Sequence, residues 1–192
     1  MTKLIQRRSI ETRARLLAVA RTCAAEVGYG GLRADDVARR AGVAKGTFFA
    51  HFADKDVLLN HLIGAEMDRL LDIMEASPAP RDSGDISRRV GPLLTFLASD
   101  RYVFDVVVRH SGATARDEIG PIAQAFHRHA AICMDWLERG SFRDDVTSGL
   151  LAHGIQAFMI HAVALEFCAL HSGEPIAERF EVYLQAWLGA QE

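Results

Sequence analysis

Apolar residues recur along this 192-residue chain at steps of three and four almost from end to end, the period of helices that turn one face inward. Ile10, Leu17, Ala20, Ala24 and Val27 predict a first helix over residues 9–27, stopped by Gly28 and the Gly30-Gly31 pair. A short second helix over 35–41 turns Val37, Ala38 and Ala41 inward and is closed by Gly42. A third falls in the stretch AGVAKGTFFAHFADK, residues 41–55. Asp54 is a good N-cap for a fourth over 55–74, with Leu58, Leu59, Leu62, Met67, Leu70 and Leu71 on its apolar face. After the loop SPAPRDSG at 77–84, the pattern predicts helices over 86–98, 102–110, 121–139, 146–171 and 175–189. No alternating run rich in β-branched residues reads as a strand, so the fold class is all-α. The helix over 146–171 is apolar on most of its circumference, which implies burial on more than one side.

The third helix is the odd one, because Gly46-Thr47-Phe48-Phe49 is poor helix-forming material and a helical Gly alone costs about 1 kcal/mol relative to Ala. On a helical wheel Phe48 and Phe52 share one face, while Gly46 and Ala50 lie opposite, flanked by Thr47 and Phe49. Two short helices joined by Gly42-Val43-Ala44 after a longer one make a helix-turn-helix candidate. The second helix of such a pair enters the major groove, where small residues let backbone and bases approach and donors reach their edges. Lys45, Thr47, His51 and Lys55 supply donors. A plain packing helix with its Gly against a neighbour is the competing reading.

Charge sharpens this picture. The net charge of the chain is −3, yet residues 1–55 hold eleven Lys and Arg against five Asp and Glu, a net +6, and residues 56–192 hold eleven against twenty, a net −9. A basic end on an acidic remainder suits local contact with a polyanion. Lys3, Arg7 and Arg8 precede the first helix and serve either as an arm along the nucleic-acid backbone or as a solvated tail.

The composition, 49% hydrophobic and 24% charged, is that of an ordinary globular protein. No apolar run approaches the roughly eighteen residues of a membrane span and the N-terminus lacks a secretory stretch, so the expected place is the cytoplasm, with no membrane. Cys23, Cys133 and Cys168 are far apart in apolar patterns and read as buried thiols. Neither the set His110, His127 and His129 nor the pair His153 and His161, two turns apart on one helix, has ligand spacing, so neither metal nor cofactor is expected.

The segments AAEVGYGGL and DDVARRAGVAKGTFFAHFADKDVLL, within residues 10–62, resemble the DNA-binding domain of the TetR/AcrR-type bacterial transcriptional regulators. The resemblance implies an N-terminal three-helix head with a helix-turn-helix over residues 1–54. It further implies a larger helical ligand-binding and dimerisation domain over 55–192, with the helix 55–74 shared as connector. It places Lys45, Gly46, Thr47, Phe49, Ala50 and His51 on the DNA side of the recognition helix, with Lys55 facing a phosphate and Arg33 near the backbone. Three positions depart from the family's habit: Phe49 stands where Tyr is common, Ala44 where Ser caps the helix, and Arg33 where Ser or Thr precedes the second helix.

For the second domain the resemblance implies a homodimer built from the last two long helices. Gly149, Gly154, Ala157 and Ala164 on one, and Phe180, Tyr183, Leu184 and Trp187 on the other, are the expected interface. A small-molecule pocket is expected among the middle helices, with Phe96, Phe104, Val108, Phe126, Met134, Phe158 and His161 as lining, though for any single one of them plain core is the stronger reading. The function so implied is a sequence-specific DNA-binding regulator, not an enzyme: a repressor released by an unidentified small molecule from a double-stranded operator of inverted symmetry. An activator or a ligand-independent DNA-binding regulator fits the same residues. A helical enzyme using the histidines and Glu166 has no recognisable nucleophile, base or metal spacing behind it.

Overall fold

In the computed structural model, which describes residues 2–111, 119–170 and 173–189, every regular element among the described residues is a helix. The first, α1 (Thr2–Gly31), is longer at both ends than its apolar pattern predicts and takes in the residues expected as arm or tail. It is broken at Gly28, whose φ of 74° and ψ of 165° interrupt the helix before it resumes through Gly31; a left-handed φ of this kind favours Gly. Its buried stripe is Leu16, Ala20, Cys23 and Ala24, whereas Ile10 and Val27 are 63% and 57% exposed. The expected inward face holds at Ala20 and Ala24, with Leu17 half-buried against the core, and is corrected at its ends, where Ile10 and Val27 face outward.

The next two helices, α2 (Ala34–Arg40) and α3 (Lys45–His51), are joined by a turn in which Gly42 has a φ of 66°. The Gly42 amide donates to the Arg39 carbonyl at 3.2 Å and the Val43 amide to the Ala38 carbonyl at 3.0 Å. Helix-end carbonyls are commonly satisfied in this way when the residue after the helix can adopt a left-handed φ.

The next helix, α4 (Lys55–Glu75), begins at Asp54, whose carboxylate accepts from the Val57 amide at 2.8 Å. Helices α5 (Ser83–Leu97) and α6 (Arg101–His110) are likewise opened by carboxylate caps, Asp82 and Asp100. Helix α7 (Pro121–Arg139) starts on the proline where the sequence places it. Helix α8 (Ser148–Glu166) is shorter than expected, ending in a turn at Phe167, and the expected terminus at His171 lies outside the described residues. The last is α9 (Ile176–Leu188).

Along α4, nine side chains or glycine positions from Leu58 to Met74 are buried, on a helix that packs against α1 at one end and against α5, α6 and α7 along the rest. Three polar links fasten it. Asp56 pairs with Arg109 of α6 at 3.2 Å. The Asn60 amide oxygen accepts from the Ile122 amide at 3.1 Å, capping α7, while its nitrogen lies 3.1 Å from His110 Nδ1. Arg128 of α7 donates to Asp72 at 2.7 Å and to Glu75 at 2.5 Å. Close approach to α7 also requires Gly64, where an added Cβ would stand 2.5 Å from that of Pro121.

α8 lies between α7 and α9, and α9 also packs on α5. By length and composition α8 is the one helix among the described residues that could cross a membrane, which corrects the expectation that no apolar run comes near that length. It carries Gln156, two histidines and Glu166, and one side of it is buried in the bundle. The α8–α9 turn is tied by Arg179, buried, which donates to the Ala162 and Glu174 carbonyls at 3.3 and 3.0 Å.

Candidate nucleic-acid interface

Seven residues make too short a helix to stand alone in water, so α3 depends on its anchors. Phe48 and Phe52 are fully buried with ring centroids 5.7 Å apart, filling the space between α3 and the rest of the three-helix head. Ala44, at the N-cap, is extended and provides no side-chain cap, as its identity implies. The opposite face is open. Nothing lies within 4 Å of where a Cβ on Gly46 would point, so no packing inside the chain demands the glycine. Lys45 and Ala50 are exposed, Phe49 is 42% exposed, and Thr47 and His51 are half-buried.

Arg33, Lys45, Phe49 and Lys55 line one open groove together with Asp35, Asp36 and the 30–32 turn. Arg33 is exposed in extended backbone at the start of α2. Lys45 pairs with Asp35 at 2.9 Å, with more than half of each side chain in solvent; such pairs contribute little and exchange readily for another anion. Lys55 is held more firmly than its expected role suggests. Its ammonium donates to the Gly30 carbonyl at 2.7 Å and lies 4.7 Å from the centre of the Tyr102 ring, joining the end of α1 to α6.

A residue that the sequence reading missed holds the far end of α3. Arg13 of α1 donates through Nη1 to the His51 carbonyl at 2.6 Å and stacks its guanidinium 4.4 Å from the Phe52 ring centre. Its Nη2 lies 2.6 Å from Nε2 of His61 on α4. Burial, and then the Arg13 charge, hold the His61 pKa below its usual value. Arg13 is one of three arginines in the stretch 11–21 of α1, and no spacing singles it out.

The residues expected to line a pocket are distributed rather than gathered. Phe96 meets Tyr29 with centroids 6.2 Å apart, Phe104 meets Phe167 at 5.9 Å, and the Met134 sulfur lies beside Gly149. Phe126 is buried and Val108 is 39% exposed. Phe158 and His161 both stack on Tyr183, at 5.3 and 5.8 Å, which places them with α9. Beneath them His129 and Cys133 are fully buried on α7, the sulfur 3.7 Å from Nε2. Burial pushes the His129 pKa down to about 4, against a hydrogen bond to Gln156, and the Cys133 thiol up to about 12. Among the described residues no three His, Cys, Asp or Glu side chains converge as a metal site would need.

The expected dimer stripe on α9 needs correction. Phe180 and Leu184 are fully buried within the chain and offer nothing to a partner. Trp187 closes over Gly154, where a Cβ would collide with its indole, and donates to the Leu151 carbonyl at 3.1 Å, so this pair also belongs to the α8–α9 contact inside one chain. Gly149, Ala164 and Tyr183 are half-buried and Ala157 is exposed. Beside Ala157, the apolar surface left outside includes two residues the sequence did not single out, Leu150 at 55% and Val182 at 60% exposure.

Residues 16–62 match the family described as the bacterial regulatory proteins of the tetR family. No curated protein matches the chain. Among solved structures, FadR of Thermus thermophilus, a TetR-family transcriptional repressor in complex with lauroyl-CoA, is similar over 91% of this chain and 92% of its own, with a TM-score of 0.66 at 18% identity. The transcriptional regulator FadR of Bacillus subtilis, in complex with stearoyl-CoA, is similar over 93% and 99%, with a TM-score of 0.60 at 17% identity. A tetR-family transcriptional regulator of Streptomyces coelicolor covers 92% of this chain and 78% of its own, with a TM-score of 0.64 at 17% identity. At these identities the likeness is one of fold.

Proposed function

We infer that this chain, which carries the N-terminal domain of the tetR family of bacterial regulatory proteins at residues 16–62, is a DNA-binding transcriptional regulator. We read it as a repressor that a small molecule releases from its operator. The observation that carries the DNA-binding part is α3 itself: Phe48 and Phe52 are wholly buried, while the face bearing Gly46 is open to solvent with nothing of the chain against it. In this reading residues 1–54 are the DNA-binding domain and 55–192 the ligand-binding and dimerisation domain, with α4 common to both.

Gly46 and Ala50 let the helix backbone approach the bases, Thr47 offers a hydroxyl to a base edge, and Phe49 presents its ring to sugar or a thymine methyl. Lys45, His51 and Arg33 meet phosphates. Lys55 spends one of its three donors on Gly30 and has others for a phosphate at the positive end of α4. A second copy covers the outer side of α8 and α9, where Gly149, Leu150, Ala157, Ala164, Val182 and Tyr183 lie. The two heads of such a dimer read an operator of inverted symmetry, in the cytoplasm.

Release follows if the effector binds better to a conformation in which the head no longer fits the operator, since only differential affinity moves an equilibrium. α4 is the means, because Arg128, Asn60 and Gly64 fasten it to α6 and α7, so a ligand that shifts those helices turns the head with them. The test is selection of duplexes from a random-sequence pool, followed by affinity measurement with and without lauroyl-CoA as first probe. Selected duplexes with an inverted repeat and a steep loss of affinity with salt are expected. Selection of no sequence would end the DNA-binding reading. Equal affinity with every small molecule tried would end the induction reading alone.

A further inference from the structure

The recognition helix has only seven residues and no side-chain N-cap, so it depends on contacts from outside itself. Only one side chain reaches across to its C-terminal end from another helix by a hydrogen bond among the described contacts, and that is Arg13. A guanidinium can donate in several directions in one plane, and Arg13 uses two of them, to the His51 carbonyl and to His61 Nε2, both at 2.6 Å. Its flat face lies on the Phe52 ring that anchors α3, and the same ring meets the His61 imidazole edge to face at 5.9 Å.

We propose that Arg13 is the positioning residue of the recognition helix and that it holds the helix only while His61 is neutral. The acceptor at 2.6 Å must be an imidazole lone pair, because Arg can only donate. Protonated His61 has no lone pair to give and sets two cations side by side. The guanidinium then leaves, taking with it the bond to the His51 carbonyl and the stacking on Phe52. Arg13 is the charge that faces His61 from α1, and His51 is the titratable residue at the α3 end of the same contact. The neighbours of His61 one turn away on α4, Val57, Leu58, Gly64 and Ala65, carry no charge. Operator affinity set by this contact therefore falls as pH falls through the His61 titration, opposite to the gain that general protonation gives a polyanion-binding surface.

The inference rests on α3 being the DNA-reading helix, and its test separates the two. The probe is the duplex that wild-type chain selects from a random-sequence pool; failure of wild type to select one refutes the DNA-binding reading itself. With that duplex, Arg13→Gln lowers affinity about tenfold, the scale of a lost hydrogen bond from a charged group. Affinity for an unrelated duplex and the thermal midpoint change little. Arg13→Lys falls between, since an ammonium does not reproduce the planar fork. His61→Gln keeps an acceptor but does not titrate, so the ratio of wild-type to His61→Gln affinity is flat above the ordinary histidine value of about 6.5 and falls, by up to about tenfold, as pH drops below it, while effects of His51 cancel. Unchanged affinity of a folded Arg13→Gln overturns the proposal. If that variant unfolds, a pH-independent ratio overturns it instead.

Discussion

α3 and α8 each leave one face uncovered, and the two faces differ in what they offer. On α3 the buried side is Phe48, with Phe52 at its C-cap, and the open side is glycine, alanine, threonine, lysine and the part-exposed ring of Phe49, in a part of the chain that carries net +6. On α8 the buried side is Leu151, Ala152, Ile155, Met159, Ala162 and Val163, and the open side holds Leu150 and Ala157 between His153 and His161. A helix that is polar and small outside can face a hydrated polyanion; one that is apolar outside needs another apolar surface. One chain thus prepares two partners of different kinds, DNA at one end and, in the reading proposed here, its own copy at the other.

The largest expected effect strikes the anchored side of α3. Phe48→Ala removes a fully buried ring and costs about 4 kcal/mol, the range for Phe truncations in cores. Denaturant unfolding followed beside DNA binding is the check; both are lost together. A cost below about 1 kcal/mol would show that α3 is not hung on its phenylalanines.

The buried side of α8 is tested by pH. His129, beneath it on α7, has its folded pKa pushed down to about 4, while the unfolded chain titrates near the ordinary value of about 6.5. The unfolded state then binds more protons between those values, so the contribution of neutral His129 is complete above about pH 6.5 and is lost as pH falls toward about pH 4, by about 3 kcal/mol in all. The unfolding free energy of wild type minus that of His129→Gln, measured across this window, is expected to carry that slope. A flat difference would mean that His129 is not sealed in the core.

The outer side of α8 comes next. Leu150→Glu with Ala157→Glu places charge on exposed positions, where folding stability is expected to move by no more than about 0.5 kcal/mol. If a second copy covers them, the protein becomes monomeric in ultracentrifugation and loses about a hundredfold in affinity for a two-half-site duplex, because linked binding is lost. A variant that remains dimeric would place the interface elsewhere.

The same contrast explains what could be read without coordinates. α3 was legible because its composition is unusual for a helix, with Gly46, Thr47 and two phenylalanines in seven residues, and an added Cβ at Gly46 would meet nothing within 4 Å, against the competing reading of a glycine packed on a neighbour. α8 was legible as a helix but not by face, because an apolar circumference gives no phase. Leu150 on α8 is exposed without standing out from its neighbours, and on α9 the expected interface stripe takes in Phe180 and Leu184, which fill the core, and passes over exposed Val182. On α1 the expected inward positions Ala20 and Ala24 are buried, but the pattern also takes in Ile10 and Val27, which are exposed, and passes over buried Leu16 and Cys23. Arg13 was beyond reach because its role depends on a carbonyl 38 residues away.

The smallest effects belong to the open side of α3, and they separate positioning from reading. Lys45→Ala breaks only an exposed pair with Asp35, so stability changes little. If Lys45 meets a phosphate, affinity falls severalfold for every sequence, and the slope of log affinity against log salt shrinks by about one. Thr47→Ala, half-buried beside the anchors, is expected to leave that slope alone and to change which duplexes are preferred, relaxing one base position of the selected sequence. The two variants differ in opposite measurements, which makes the pair more informative than either alone. Should Lys45→Ala alter sequence preference and Thr47→Ala alter only the salt slope, the orientation of α3 in the groove is the reverse of the one inferred, with its first turn rather than its middle against the bases.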